Sequence, residues 1–252
     1  MSTITRSGII TICGRPNVGK STLTNALVGE KVTIVTNKPQ TTRTRISAIL
    51  DRGNSQFVFV DTPGLHKPRT RLGDYMVNVV RESVSDVDAV VLIVEPIPNI
   101  GQPELQLIHR LKLLGCPAIL AINKVDALEK KETLLEVIHL YSQAHDFQAI
   151  VPISAKKQEG LEELLEELEQ FLPEGPRLVP EGMISDQPER QMMAEIVREK
   201  LLLCLDKEIP HGTAVEITKF SEREDEVIEV DATIYCEKAS HKGIIIGKGG
   251  SM

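Results

Sequence analysis

From residue 7 to about residue 172, short β-branched runs alternate with longer amphipathic stretches. The runs at 8–13, 45–50, 56–61, 89–94, 118–123 and 149–153 predict strands. Several are almost wholly apolar, as expected of strands covered by helices on both faces. The runs 45–50 and 56–61 flank DRGNS, a loop of Gly, Asn and Ser that predicts a hairpin. That hairpin would place one antiparallel edge strand on an otherwise parallel sheet. Leu161, Leu164, Leu165, Leu168, Phe171 and Leu172 recur at helical spacing, and the glutamates between them form the wet face of that helix. Strand–helix alternation of this kind predicts an α/β, doubly wound, mostly parallel sheet.

The pattern breaks at LPEGPRLVPEGMISDQPER, where Pro173, Pro176, Pro180 and Pro188 mix with Gly175 and Gly182. We therefore expect a first domain over 1–172, a Pro/Gly-rich linker over 173–189 and a second domain over 190–252. In the second domain a helix over about 190–206 leads to strands at 213–220 and 227–237, parted by the polar turn SEREDE. The chain then stops just after GIIIGKGGSM.

Composition narrows the picture. Trp is absent and aromatics are 3% of 252 residues, so the cores must be built from Val, Ile and Leu. The net charge of −7 argues against a surface that is basic all over and so against a DNA partner, but it leaves a local basic patch open. Cys13, Cys116, Cys204 and Cys236 are too far apart for a CxxC pair or a metal knuckle and read as reduced thiols. The opening MSTITRSGIITICG lacks a signal peptide's apolar run, and no stretch of about 18 apolar residues follows. A cytoplasmic protein is expected.

GRPNVGKS at 14–21 fits GxxxxGK[ST] and sits between an apolar run and the helix-like STLTNALVG. Gly14, Arg15, Pro16, Asn17, Val18, Gly19, Lys20, Ser21 and Thr22 are the candidate phosphate cradle. Backbone amides and a helix N-terminus would face the anion there. Lys20 would reach the β- and γ-phosphates and the Ser21 hydroxyl would ligate Mg²⁺. This motif alone does not separate ATP from GTP. DTPG at 61–64 ends another apolar run, so Asp61 would serve the metal and the Gly64 amide the γ-phosphate. Between the two lies TNKPQTTRTR, where a switch hydroxyl should complete the Mg²⁺ shell. Thr42 is the candidate and Thr41 the alternative.

NKVD at 123–126 decides the base. The Asp126 carboxylate can accept from the N1 and N2 protons of guanine, whereas adenine would leave that charge unpaired. Lys124 would lie along the base and Asn123 would tie the box to the phosphate loop. In SAK at 154–156, formed by Ser154, Ala155 and Lys156, the Ala155 amide would meet guanine O6. The expected activity is hydrolysis of GTP to GDP. An ATPase, or an RNA-binding assembly module whose nucleotide is only structural, stands as the alternative.

Ras-like GTPases orient the attacking water with a glutamine after DxxG. Here Leu65 fills that position, with His66 beside it, and neither Arg43 nor Arg45 can be assigned as an arginine finger. Asn17 resembles the asparagine with which potassium-activated GTPases hold a monovalent cation, so K⁺ is a candidate cofactor and Asn17, Lys20, Thr42 and Gly64 are the candidate catalytic set.

The chain as a whole resembles the Era family of bacterial GTPases. GRPNVGKS, PQTTRTR, DTPGLH, NKVD and SAK carry the resemblance in the first domain, and REKLLLCLDKEIPHG and HKGIIIGKGGSM carry it in the second. It implies an α+β KH domain whose GxxG loop clamps single-stranded RNA, here Gly247, Lys248, Gly249 and Gly250. It further implies binding to the 3′ end of small-subunit ribosomal RNA during 30S assembly, and peripheral association with the cell membrane. The last helix and strand of a KH domain are expected to be missing from this chain. Residues 183–252 carry nine Lys+Arg against fourteen Asp+Glu, a net of −5, which is the wrong sign for phosphate contacts outside a patch at Lys238, Lys242 and Lys248.

Overall fold

The structure, a computed structural model, describes residues 4–38, 41–43, 45–62, 87–205, 209–223 and 227–251. It divides into two compact units, Met1–Val32 with Thr42–Asp186, and Thr33–Thr41 with Gln187–Met252. Among the described residues no helix is long and apolar enough to cross a membrane.

The first unit is built on six strands: β1 (Arg6–Cys13), β2 (Ile46–Arg52), β3 (Ser55–Asp61), β4 (Ala89–Val94), β5 (Ala118–Ile122) and β6 (Ala149–Pro152). Their order in the sheet is β2-β3-β1-β4-β5-β6. Only β2 runs antiparallel, paired to β3 through the predicted hairpin. The helices α1 (Lys20–Val28), α2 (Gln102–Leu114), α3 (Lys131–Ala144) and α4 (Leu161–Glu169) follow β1, β4, β5 and β6. The central strands β4 and β5 are buried along their whole length, which explains why they read as unbroken apolar runs. One core layer sets Val90, Leu92, Val94, Leu120 and Ile122 against Leu107, Leu111, Val137 and Tyr141 of α2 and α3. On α4, Leu161, Leu164, Leu165 and Leu168 are the buried face, as their spacing predicts.

Residues 173–186 belong with this unit. Gly175 N–H donates to Thr5 O at 3.0 Å, and Ile49 N–H donates to Ile184 O at 2.9 Å. Ala48 and Ser185 form an antiparallel bridge on β2. The fully buried Gln56 accepts from the amides of Leu178 and Val179 at 2.8 and 2.9 Å, and donates to Val179 O at 2.9 Å. A buried amide side chain that mimics a strand's hydrogen bonds satisfies itself and pins the neighbouring backbone.

In the second unit, α5 (Glu189–Cys204) precedes β7 (Thr213–Glu222), β8 (Ile228–Cys236) and α6 (Ala239–Ile246). β7 and β8 pair antiparallel with an irregularity between Ile217 and Lys219. The segment Thr33–Thr41 groups with α5. The nearly buried Glu199 accepts from Val35 N–H at 3.0 Å, and the nearly buried Arg198 donates to Thr41 O.

Candidate functional site

The predicted boxes all emerge at the carboxyl ends of parallel strands, where open α/β sheets bind ligands. β1 ends in the phosphate loop, β3 in Asp61, β5 in Asn123 and β6 in the Ser154 turn. Strand order therefore brings together residues that lie more than 100 positions apart in the chain.

At the phosphate end, Lys20 opens α1 and is 6% exposed. Its ammonium donates to Gly14 O at 3.2 Å and Arg15 O at 2.8 Å, so the loop curls around it. Burial pushes this ammonium down to about 8, an effect the Asp61 charge offsets only in part. Asp61 is fully buried, and burial pushes its carboxyl up against the opposing pull of Lys20. The Ser21 hydroxyl donates to Asp61 Oδ2 at 2.8 Å and lies 2.9 Å from Thr42 Oγ1. Thr42 in turn donates to the same Oδ2 at 3.3 Å. Asp61 Oδ1 is buried and makes no hydrogen bond. One carboxylate with a spare oxygen and two converging hydroxyls form a hard-oxygen set suited to Mg²⁺, which keeps several waters and takes few protein ligands.

The two switch candidates are separated by geometry. Thr42 is the hydroxyl brought to Ser21 and Asp61. Thr41 Oγ1 instead meets Thr36 Oγ1 at 2.7 Å and donates to Lys38 O at 2.7 Å. Cys13, at the end of β1, is no nucleophile, because burial raises its thiol to about 12. Gly64, Leu65 and His66 lie outside the described residues.

At the base end, Asn123 Nδ2 donates to Val18 O at 2.8 Å. Asn123 Oδ1 accepts from the Ala155 amide at 2.9 Å, so the amide assigned to guanine O6 is engaged within the box here. The Asp126 carboxylate accepts from Ser154 Oγ at 2.7 Å, and this bond holds it below the usual carboxylate range. Ser154 thus fixes the orientation of the Asp126 carboxylate. Lys124 Nζ donates to Asn17 O at 2.7 Å, and both residues adopt left-handed backbone, each with φ 64°. Gly19 has φ 105°, and a Cβ there would come within 2.3 Å of Asn123 Nδ2. Glycine at this position is what lets the phosphate loop and the base box interlock.

Two acidic residues escaped the sequence reading. Glu104 in the first turn of α2 is almost fully buried and pairs with Arg15. Glu95, one residue past β4, pairs with Lys124 at 2.5 Å. Neither belongs to a spacing motif, and only the strand order reveals them. In the second unit, Gly247, Gly249 and Gly250 follow α6 with φ of 73°, 68° and 77°, and Lys248 between them is exposed.

A family model described as 50S ribosome-binding GTPase matches residues 9–124, and one described as KH domain matches residues 208–252. The chain is 50% identical over 247 residues to the GTPase Era of Ruminiclostridium cellulolyticum, covering 98% of this chain and 83% of that protein. It is 48% identical over 246 residues to the GTPase Era of Clostridioides difficile, covering 97% and 83%. Among solved structures, Era in complex with MgGDPNP and nucleotides 1506–1542 of 16S ribosomal RNA aligns with a TM-score of 0.92. That alignment has 35% identity and covers 98% of this chain and 84% of that one. An Aquifex aeolicus Era variant bound to GDP·AlF4− gives the same figures.

Proposed function

Since this chain belongs to the Era family of GTP-hydrolysing enzymes, we propose that it is a Mg²⁺-dependent GTPase switch whose nucleotide state governs binding of small-subunit ribosomal RNA during 30S assembly in the cytoplasm. The observation that carries this reading is the meeting of the Lys20–Ser21–Thr42–Asp61 cluster and the Asn123–Asp126–Ser154 cluster across one phosphate loop.

In this reading, the backbone N–H groups of residues 14–22 other than Pro16, with the Lys20 ammonium, hold the β- and γ-phosphates, and the Gly64 amide completes the γ-phosphate contacts. Ser21, Thr42 and Asp61 would hold Mg²⁺, which would supply positive charge against the phosphate oxygens. Asp126, oriented by Ser154, accepts both guanine donors. Lys124 covers one face of the base, and Lys156 closes the turn beside it. Leu65 has no group that could orient water. The Asn17 amide oxygen is a hard donor, suited to a weakly hydrated monovalent cation, and K⁺ held there would supply positive charge where an arginine finger is lacking.

Coupling to RNA is supported by the chain's own connectivity. Thr41 O is held by Arg198 of α5, while the very next residue, Thr42, reaches Ser21 and Asp61. Loss of the γ-phosphate would release Thr42 and slacken the Thr33–Thr41 segment packed on α5. The second domain, 190–252, would present Gly247–Gly250 to single-stranded RNA, with Lys248 against a phosphate. A relative solved with 16S ribosomal RNA supports this choice of partner.

The decisive experiment replaces Asp126 with Asn. The amide offers a donor where guanine also offers donors, so GDP affinity should fall at least 100-fold, by analogy with the large penalties for mismatched buried polar groups. Xanthosine diphosphate, which carries an acceptor at position 2, should bind better to the variant than to the parent. An unchanged order of nucleotide preference would defeat the reading.

A further inference from the structure

In the sheet order β1-β4-β5, the residue that follows β4 must emerge between the loops that follow β1 and β5. Those loops are the phosphate cradle and the base box. The residue is Glu95, and its two oxygens divide between them. Oε1 accepts from Lys124 Nζ at 2.5 Å, and Oε2 faces Arg15 Nη2 at 3.8 Å. Lys124 is left with one further acceptor, Asn17 O, on the cradle itself. Arg15 is paired with the buried Glu104, so the guanidinium ties the cradle to the first turn of α2.

We propose that Glu95 is a positioning residue for guanine-nucleotide retention: its carboxylate fixes the Lys124 ammonium so that the lysine stem stays over the base plane. The inference rests on the guanine-nucleotide reading of the site. A flexible lysine has several rotatable bonds, and clamping its head at two acceptors removes that freedom before the nucleotide arrives. Half-exposed ion pairs contribute little to folding. The effect of Glu95 should therefore appear in nucleotide dissociation rather than in stability.

The test is a cycle of Glu95→Gln and Lys124→Ala, read by stopped-flow dissociation of fluorescent GDP, with Tm measured in parallel. Glu95→Gln should speed dissociation about 10- to 30-fold, the low end of the loss on truncating one partner of a close charge pair at a binding site. It should raise KM for GTP and leave kcat unchanged. In the Lys124→Ala background the same change should have no further effect on dissociation, because the group that Glu95 acts through is gone. Glu95→Asp, which keeps the charge, should recover part of the retention. Arg15→Ala serves as the control arm: an effect of Glu95→Gln that vanishes there but persists in Lys124→Ala would overturn the proposal. So would parent-like dissociation in Glu95→Gln. Failure of the parent protein to bind GDP would instead strike the guanine reading itself, so the two failures are distinguishable.

Discussion

Gly19→Ala tests how tightly the phosphate loop and the base box are interlocked. The new Cβ meets two penalties. At φ 105° a side chain is strained by about 1–2 kcal/mol. It also falls 2.3 Å from Asn123 Nδ2, so the Asn123 side chain must leave its place. Leaving breaks the bonds to Val18 O and from Ala155 N, both buried. At about 1–2 kcal/mol for each buried group left unsatisfied, that displacement costs about 2–4 kcal/mol. Gly19→Ala should then destabilise the nucleotide-free protein by about 3–6 kcal/mol, and Asn123→Ala by about 2–4 kcal/mol. In the double variant the clash has no target, and the two bonds are lost only once. Adding Gly19→Ala to Asn123→Ala should therefore cost only the backbone strain of about 1–2 kcal/mol. Urea unfolding of the four proteins, with m-values compared, measures each corner of this cycle. Simple additivity would refute the interlock, because it would mean that Gly19 and Asn123 do not share a structural cost.

Thr42→Ala should lower kcat for GTP at least tenfold while GDP affinity changes less than twofold, because in the proposed switch its hydroxyl would serve the metal in the GTP state alone; single-turnover hydrolysis and GDP titration check the split. The Lys20 ammonium of the nucleotide-free protein sits at about 8. Phosphate would hold it charged, so GDP binding should take up a proton above pH 8 and weaken by up to about tenfold per pH unit, as calorimetry in buffers of different ionisation enthalpy would show. Folding has the opposite sign: the unfolded chain keeps that proton up to 10.5, so the contribution of Lys20 to the nucleotide-free protein's stability should rise between pH 8 and 10.5. Gln56→Leu removes the bonds to Leu178 and Val179 from a buried position and should cost about 2–4 kcal/mol in urea unfolding. If Asn17 holds K⁺, turnover in potassium buffer should exceed turnover in sodium buffer severalfold, and equal rates would remove that cation from the mechanism.

The sheet was legible because its central strands are apolar on both faces, and the edge hairpin because DRGNS can only turn. The phosphate cradle and NKVD were legible because each is a compact run whose spacing is tied to its chemistry. What stayed hidden depends on distance along the chain. Glu95 and Glu104 look like ordinary surface acids until strand order carries them beside Lys124 and Arg15. Gln56 is a polar residue at the head of the apolar run FVFV, yet it is fully buried against backbone more than 120 residues away. Thr41 and Thr42 were indistinguishable by residue type, and only their different partners separate them. Residues 173–186, rich in Pro and Gly, read as part of the interdomain linker over 173–189, since local composition does not report hydrogen bonds to a distant strand.

Those same residues have a consequence for the molecule in a crowded cell. β2 lies at the margin of the sheet, and Ser47, Ala48 and Ile49 would offer unpaired main-chain groups to any extended chain that drifted past. The bridge at Ala48 and the bonds to Ile184 and Asp186 occupy that margin. Protease nicking near Pro180 would unmask a sticky border, and the damage would show first as self-association of a protein whose nucleotide chemistry was still intact.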